Sequence, residues 1–397
     1  MNGLNFSDAS DIRLGSRTIT ALYYGSTLLW PLKRDYSKEY LTIEAVDNSV
    51  LVSFIGWTTS GMSVSKDIQY SKDKSNWTTV TFGPPEHSPR VGINKGEKLY
   101  LKGNNLTYSD YSDDDNTQFY HCNIKITGDN SNAKLYGNIM SLLYADNFAN
   151  QTTLHNRCTF RELFGSSTAL TDASNLVLPA TILSEKCYEA MFSDCSSLTS
   201  IAVRTSIPKL PATTLAPRCY CAMFQNCTSL IESIQELPAT TLAEECYSYM
   251  FSGCTSLRLK PDLPATTLAP GCYVHMFSNT NITAGPELPA TTLAKECYAF
   301  MFNNCKSLIT APDLPATTLS LNCYAYMFKG CSVLTYIKCL GYTSGENTGD
   351  NDKPITEYAG AWVDGVGSYG TFIKNPNMTW PTGISGIPDT WKVVDAN

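Results

Sequence analysis

Charge is scarce in this sequence. Only 16% of its 397 residues are Asp, Glu, Lys or Arg, and histidine occurs four times. The formal net charge is −7, and Lys and Arg form no cluster, which argues against nucleic acid as a partner. Ser, Thr, Asn and Tyr are abundant instead. This composition is typical of β-rich proteins with a weakly charged exterior, as found outside cells or on particles.

Long apolar runs are also missing. No stretch approaches the roughly 18 apolar residues that a membrane-spanning helix requires. The N-terminal stretch MNGLNFSDASDIRLGSRTI has no basic segment followed by an apolar run, so it does not resemble a secretory signal peptide. We therefore expect no membrane insertion. If the protein acts outside a cell, we expect it to leave by another route.

The sequence does contain a long internal repeat. The dipeptide CY recurs about every 26 residues, and a Met-Phe pair begins four residues after each of these cysteines. A second cysteine follows eight residues after the first in five copies, and Thr280 takes its place in another. A degenerate copy, TFRELFGSSTALT, carries Thr159 and Ser167 instead. The first cysteines are Cys187, Cys219, Cys246, Cys272, Cys297 and Cys323, and the second are Cys195, Cys227, Cys254, Cys305 and Cys331.

The spacing predicts how each copy folds. Positions i, i+4 and i+8 share one face of a short helical turn, so Cys, Met and Cys should face the core together. A run such as SLITAPDLPATTL should cross the other side as a short strand that pairs with the next copy. Pro261, Pro286 and Pro312 should interrupt or begin that strand, because proline lacks the N–H that a strand ladder needs.

The repeat resembles the BspA-like class of leucine-rich repeats. Those units carry a pattern like aF-x-g-C-x-s-L followed by i-x-L-P, and the stretch from Met250 to Pro264 reads MFSGCTSL followed by DLP. The resemblance covers roughly residues 150 to 340. It implies a right-handed, curved solenoid that serves adhesion or ligand binding. The near-invariant LPATTLA and the extra cysteine depart from the pattern and suggest recent duplication of the repeat.

Fifteen cysteines allow three interpretations. Zinc sites usually combine cysteines two to four residues apart or include histidine, and His87, His121, His155 and His275 are scattered singly. Disulfides between neighbouring copies are possible in principle, but Thr and Ser replace some cysteines and the total is odd. We favour reduced cysteines that pack as small apolar side chains in the core. We expect no metal and no cofactor.

Two sets of residues are candidates for ligand binding. The first is an acidic row just before each LP, which is either a solvated edge or a site for a cation or a basic ligand. The second is the set of side chains that differ between otherwise similar copies, since solenoids build binding faces in this way. The acidic row is Glu236, Asp262, Glu287 and Asp313. The variable residues are Arg258, Lys260, Thr310, Tyr336 and Lys338 on the strand side, and Arg218, Glu245, Lys295 and Asn322 before the helical turn.

The N-terminal segment ITALYYGSTLLWP predicts a β-hairpin, because apolar and polar residues alternate around Gly25 and Ser26. The segment is similar to short KIYLGSTLVWP-type segments near the start of many structural proteins of tailed bacteriophages. That resemblance implies docking onto a virion through Leu22, Tyr23, Tyr24, Leu28 and Trp30. An ordinary N-terminal hairpin is the alternative.

Residues 37–129 contain short strand-like runs separated by turns, which predicts a β-sandwich. YSKDKSNW partly resembles an Asp-box hairpin through Ser71, Asp73 and Trp77, but its glycine is absent, so we interpret it as a hairpin turn. The run SDYSDDDNT could bind calcium through Asp113, Asp114 and Asp115, although such runs are more often solvated loops.

The predicted fold class is mainly β with short helical turns. Its parts are a docking segment (residues 1–36), a β-sandwich (37–129), a leucine-rich-repeat solenoid of about seven coils (130–340) and a C-terminal capping segment (341–397). The last coil of a repeat array exposes its apolar face unless a cap covers it. We expect Trp362, Phe372, Trp380 and Trp391 to form that cap.

No nucleophile–base pair or phosphate-binding loop is evident, so we do not expect an enzyme. The preferred hypothesis is a structural and binding protein of a tailed-phage virion. It would contact other virion proteins through the N-terminal segment and a host surface protein or glycan through the repeats, and it would be exposed on the particle. A bacterial cell-surface adhesin is the alternative, and a glycan-degrading tail enzyme is a third hypothesis. Homo-oligomers are possible, although the sequence has no heptad pattern.

Overall fold

The computed structural model describes residues 12–14, 17–19, 22–24, 27–30, 35–58, 64, 66–111, 119–201, 210–232, 234–341 and 355–397. The first four strands form two antiparallel pairs. Strand β1 (Ile12–Leu14) pairs with β2 (Arg17–Ile19), and β3 (Leu22–Tyr24) pairs with β4 (Thr27–Trp30). The backbone of the second pair has Tyr24 opposite Thr27, which confirms the predicted N-terminal hairpin.

The next strands build two open sheets. Their strands are β5 (Leu41–Ala45), β6 (Val50–Thr58), β7 (Asp67–Ser71), β8 (Thr78–Thr81), β9 (Arg90–Ile93), β10 (Lys98–Lys102), β11 (Ser109–Tyr111), β12 (Phe119–Thr127), β13 (Ala133–Asn138), β14 (Leu170–Asp172) and β15 (Leu176–Val177). The larger sheet has the order β14-β13-β5-β10-β7-β8, with β15 also pairing with β13, and the smaller one has the order β11-β12-β6-β9.

Helical structure is sparse in the described residues. One short α-helix, α1, covers Ser141–Tyr144. Short 3₁₀ helices lie at Tyr36–Lys38, Pro85–His87, Ala145–Asn147 and Ile355–Glu357. No helix in this part of the chain has the length and apolar character needed to cross a membrane.

A core lies between the two sheets. Phe54 on β6 of the smaller sheet stacks with Tyr70 on β7 of the larger sheet, with ring centroids 6.4 Å apart. The larger sheet also includes β13, β14 and β15, which lie beyond residue 129, where the sequence predicted the end of a β-sandwich. Because β14 and β15 run parallel to β13, the first copy of the repeat joins this sheet directly.

Each copy of the repeat begins with a chain of tight turns rather than the predicted helical turn. In the copy that starts at Cys246, the N–H groups of Ser248 and Met250 donate to carbonyls three residues back, while those of Tyr247 and Tyr249 donate to the next copy. Every fourth residue, such as Glu245 and Tyr249, has a positive φ. An α-helix needs negative φ throughout and hydrogen bonds four residues back, so the alternation excludes it.

The turns stack into buried columns. The phenylalanines that follow each Met form one column, with centroid separations of 5.6 to 5.9 Å. The tyrosines that follow each first cysteine form another, which begins at Phe160 and has separations of 5.7 to 6.2 Å. The Phe column is Phe164, Phe192, Phe224, Phe251, Phe277, Phe302 and Phe328, and the Tyr column continues through Tyr188, Tyr220, Tyr247, Tyr273, Tyr298 and Tyr324.

The other side of each copy lacks the predicted strand. Neighbouring copies touch there through isolated parallel bridges, such as Glu232 with Leu259 and Glu236 with Asp262. Pro261 lies buried between two of these bridges, and a proline has no N–H to extend pairing along the chain. The contacts therefore stay single bridges and do not lengthen into a sheet.

The predicted fold class is wrong in its architecture. The chain is mainly β, but its described residues form several open sheets with antiparallel and parallel pairing, none of them closed. A leucine-rich-repeat solenoid with a strand and a helical turn in each coil is not present among them. The positive φ angles remove the helical turn, and the prolines restrict the strand to single bridges.

The C-terminal part ends the stack. Strands β16 (Tyr336–Cys339), β17 (Thr371–Lys374) and β18 (Lys392–Asp395) form a parallel sheet. Residues 358–365 form an additional, divergent chain of turns that accepts hydrogen bonds from the copy before it, for example from Phe328 to the Trp362 carbonyl. The predicted capping residues Trp362, Phe372, Trp380 and Trp391 are all buried, and Trp362 stacks on Tyr324 at 6.0 Å.

Candidate binding face

The predicted variable residues of the strand side lie on one surface of the stacked copies. Thr310 bridges to Tyr336, and Leu259 bridges to Glu232, so residues at these positions form a row that crosses the copies. Arg258 and Thr310 are exposed, whereas Lys260, Tyr336 and Lys338 are half-buried. We call this surface, together with the acidic row described below, the binding face. Of these five residues, the bridge joins Thr310 directly to Tyr336, and the role of the set in ligand binding stays a prediction.

Exposed aliphatic side chains, which sequence reasoning missed, lie on the binding face. Ile231 is 48% exposed, Leu259 is 55% exposed and Ile309 is 52% exposed. The N–H of Arg258 donates to the Ile231 carbonyl at 3.1 Å, so the two residues are backbone neighbours on adjacent copies. The signal was present in the sequence, because the same position carries Ile, Arg and Ile in three copies, a mixture that a core position would not accept.

The acidic row is solvated. Glu236, Asp262, Glu287 and Asp313 are all exposed. At one end Lys338 contacts Asp313 at 2.7 Å, and this hydrogen bond raises the pKa of Lys338. In the described residues, no three His, Cys, Asp or Glu side chains converge as metal ligands. The contact with Lys338 shows that this row can pair with a basic group.

The variable residues that precede the turns lie apart from the binding face. Arg218 connects Glu189 at 2.9 Å and Glu245 at 2.5 Å across three successive copies. Glu189 is buried, and Arg161 approaches it from the other side at 3.5 Å. Arg218 and Glu245 thus form part of a charged network that joins copies. Lys295 pairs with its neighbour Glu296 at 3.5 Å.

The cysteines are structural. All fifteen lie in the described part of the chain, where they are buried and none forms a disulfide. The thiol of Cys254 donates to the Phe224 carbonyl of the preceding copy at 3.0 Å, and Cys305 does the same to Phe277 at 2.9 Å. Burial raises the pKa of Cys254 to about 12, which leaves it protonated and unreactive at neutral pH. The structure agrees with the predicted buried, unpaired cysteines.

Thr280 explains how the second cysteine can be replaced. Its hydroxyl donates to the Phe277 carbonyl at 2.8 Å and lies 3.4 Å from the Cys305 sulfur. The buried Thr280 hydroxyl therefore has a hydrogen-bond partner, as the cysteine thiol has in the other copies, so threonine can replace the second cysteine.

One serine–histidine contact, which the sequence did not reveal, lies at the start of the stack. Ser109 Oγ is 3.3 Å from His121 Nδ1, and Glu162 lies 3.8 Å from Nε2 of the same ring. Ser109 is completely buried and its hydroxyl also donates to the Arg161 carbonyl. Burial lowers the pKa of His121 to about 4. A serine without access to a substrate cannot act as a nucleophile, so this arrangement is structural.

An outer column of side chains, also missed by sequence reasoning, runs along the turns three residues after each first cysteine. The rings of Tyr249, His275, Phe300 and Tyr326 stack with centroid separations of 4.6, 4.3 and 4.5 Å. All four are half-buried. Burial lowers the pKa of His275 to about 4.

Other predicted sites have separate outcomes. For the predicted docking residues Leu22, Tyr23, Tyr24, Leu28 and Trp30, the structure describes the backbone and not the side chains. The predicted calcium ligands Asp113, Asp114 and Asp115 lie outside the described residues.

Asp73 accepts hydrogen bonds from Ser71, Ser75 and Asn76, which lower its pKa and close the turn between β7 and β8. The predicted hairpin turn at this place is confirmed.

Comparison of the chain with known protein families, with curated proteins and with solved structures finds no match. The resemblances to BspA-like repeats and to tailed-phage structural proteins therefore stay predictions from sequence.

Proposed function

We propose that this chain is a binding protein without catalytic activity that attaches a tailed-phage particle to the surface of its host. The observation that carries the proposal is the binding face. Its exposed residues differ from copy to copy, whereas the buried columns beneath it repeat the same Tyr, Met and Phe. A constant scaffold with variable exposed side chains is the usual way for a repeat protein to recognise a partner.

The chemistry of the binding face suits a surface protein or glycan. Aliphatic groups such as Leu259 lie beside Arg258, and a row of carboxylates lies a few residues further along each copy. Such a mixture offers apolar contact at the centre and polar contact at the edge, as protein recognition surfaces do. The proposed role in a virion is supported by the N-terminal segment, whose backbone pairs as a hairpin.

A bacterial cell-surface adhesin is the second candidate. The same binding face supports it, because adhesion to a protein or glycan needs the same exposed, variable groups. The two candidates differ in where the protein resides.

Quantitative mass spectrometry of density-purified particles and of host envelope fractions tests the proposal. A fixed ratio to the capsid protein supports the virion component, and recovery only in the envelope fraction would make the chain an adhesin.

A second test addresses the binding face itself. Replacing the exposed residues Arg258 and Thr310 with alanine should weaken cell binding while the melting temperature changes by less than about 2 °C, because surface substitutions rarely exceed about 0.5 kcal/mol. Lys95→Ala, at an exposed position outside the repeat, is the control and should leave binding unchanged. Equal binding by all variants would contradict the assignment of the binding face.

A further inference from the structure

The outer column changes character along the stack. Its eight positions are Glu162, Ala190, Ala222, Tyr249, His275, Phe300, Tyr326 and Ala361, and all of them have φ between 46° and 58°. The hydrogen bonds between copies place Ala361 in register with Tyr326, because Phe328 donates to Trp362, the residue that follows Ala361. The stack of four rings thus has alanine on both sides.

Among the described residues, the two end rings of this stack each have one face without another ring stacked against it, which we call the free face. His275 and Phe300 each have a ring against both faces, at 4.3 to 4.6 Å. At the Tyr249 end, the neighbouring Ala222 is only 8% exposed. At the Tyr326 end, Ala361 is half-buried and open to solvent. The Tyr326 end is therefore the place where a further ring can join the column.

The free face of Tyr326 has polar groups beside it. Phe300 covers one face, and the amine of Lys329 lies over the ring at 5.5 Å from the centroid. Lys329 also contacts Asp364 at 3.1 Å. These two side chains are 43% and 39% exposed, and an ion pair this exposed contributes little to stability. Both groups can therefore turn toward a ligand at small cost.

The backbone beside this place leaves room. Among the described residues, a Cβ atom added to Gly360 would have only the Thr356 carbonyl oxygen within 4 Å, at 3.0 Å. The residue that would carry a ring in the earlier copies is Ala361, and its methyl group fills a small part of that volume.

We propose that the free face of Tyr326 is a subsite for one sugar ring. The apolar face of the sugar stacks on the phenol ring, the Lys329 amine donates to one hydroxyl and the Asp364 carboxylate accepts from another. A flat aromatic ligand would use only the ring face and leave Lys329 and Asp364 paired with each other, whereas a sugar would also form hydrogen bonds with both groups. The inference rests on the proposed function only for the source of the sugar, which would be a surface glycan.

Saturation-transfer NMR with the full chain tests the proposal. The probes are the methyl glycosides of glucose, galactose, mannose and N-acetylglucosamine, with p-cresol as a flat aromatic probe. The proposal expects transfer to at least one glycoside, and transfer to none of the four would overturn it. Transfer to p-cresol alone would show that the place binds flat aromatic rings and would overturn the sugar assignment.

Three variants localise the signal. Tyr326→Ala should weaken binding at least about tenfold, because it removes the stacking surface. Its fold should persist, because alanine already occupies the same backbone conformation at Ala222 and Ala361. Ala361→Tyr should also abolish binding, because the new ring fills the free place. Tyr249→Ala, at the covered end of the stack, is the control and should bind as the wild type does.

Unchanged binding by both Tyr326→Ala and Ala361→Tyr would overturn the proposal. The alanine variants of the binding face separate this result from the proposed function. If they lose cell attachment but still bind the glycoside, both proposals stand. If Tyr326→Ala binds cells normally and no glycoside binds the wild type, the sugar subsite fails while the proposed attachment function stands.

Discussion

The buried Phe column and the outer column are built by the same turns and yet follow different rules. In the buried column every position from Phe164 to Phe328 is phenylalanine, and the rings lie 5.6 to 5.9 Å apart. In the outer column, only two residues away within each copy, the side chain changes from Glu to Ala to an aromatic ring. Where the rings occur they lie closer together, at 4.3 to 4.6 Å.

The difference shows what each column contributes. A buried ring is surrounded on all sides, so any change of shape leaves a cavity or a clash. An outer ring contacts its two stacked neighbours and keeps an edge in water, so a methyl group or a carboxylate can replace it. The backbone tolerates all of these residues, since every outer position has the same positive φ. The stability of the stack should therefore reside in the buried columns, whereas the outer column is free to vary in sequence.

The largest expected effect comes from the buried column. Phe302→Ala should lower the free energy of unfolding by about 3–5 kcal/mol, because Phe302 is fully buried between Phe277 and Phe328 and alanine leaves a cavity. Chemical denaturation monitored by circular dichroism measures it. A decrease in the free energy of unfolding below about 1 kcal/mol would mean that the buried Phe column stabilises the stack no more than the outer column does.

Sequence reasoning found which side chains are buried but not how the backbone holds them. The spacing of four between Cys246, Met250 and Cys254 fits an α-helix and also fits a chain of turns in which every fourth residue has a positive φ. One position does distinguish the two, because the residue seven after each first cysteine also has a positive φ and is always Gly, Asn or Asp, the residues that adopt it most readily. The other positive-φ positions carry no such signal, since residues as different as Glu245 and Tyr249 occupy them. The six residues with the signal are Asp194, Asn226, Gly253, Asn279, Asn304 and Gly330. The residues that vary between copies could be identified from the sequence alone, because the repeat aligns them. The outer column could not be predicted, because the side chains at its positions range from Glu to Ala to aromatic rings.

The contact between Ser109 and His121 shows a second limit. The two residues lie on paired strands and meet only through the register of β11 with β12. Glu162, which approaches the same ring, comes from the first copy of the repeat. No local pattern in the sequence links three residues from such separate segments.

The second expected effect concerns the thiols under the turns. Cys254→Ala should lower the free energy of unfolding by about 1–2 kcal/mol, because it removes a buried sulfur and its hydrogen bond to the Phe224 carbonyl. Cys254→Ser keeps a donor and should cost less. Urea denaturation of both variants measures the difference. If Cys254→Ser lowers the free energy of unfolding more than Cys254→Ala does, burial of the apolar sulfur matters more than its hydrogen bond.

The outer column should respond more weakly than the buried one to the same substitution. Phe300→Ala lies two residues before Phe302 in the same copy and removes two stacking contacts at 4.3 and 4.5 Å. We expect a loss of about 1 kcal/mol, since a stacked aromatic pair contributes about 0.5–1.5 kcal/mol and part of the ring stays in water. The same denaturation experiment measures it beside Phe302→Ala. Equal losses for the two variants would mean that the outer column stabilises the stack as much as the core does.

The smallest expected effect is pH dependence in the outer column. Burial lowers the pKa of His275 from 6.5 to about 4, so the unfolded chain binds a proton between these values that the folded chain does not. Stability attributable to this group is therefore present above pH 6.5 and falls as the pH drops toward 4. Because His275 is only half-buried, solvent screening should keep the loss below about 1 kcal/mol.

His275→Phe should retain the stack and remove this part of the acid sensitivity. The comparison is the change in unfolding free energy between pH 7 and pH 4.5 for the wild type and the variant, with His87→Phe as the control because His87 is exposed. If His275 titrates by NMR near pH 6.5 and the two curves run parallel, the outer column is as open to water as a surface loop. A depressed pKa together with a flatter curve for the variant would place the outer column between core and surface, partly shielded from water yet free to vary in sequence.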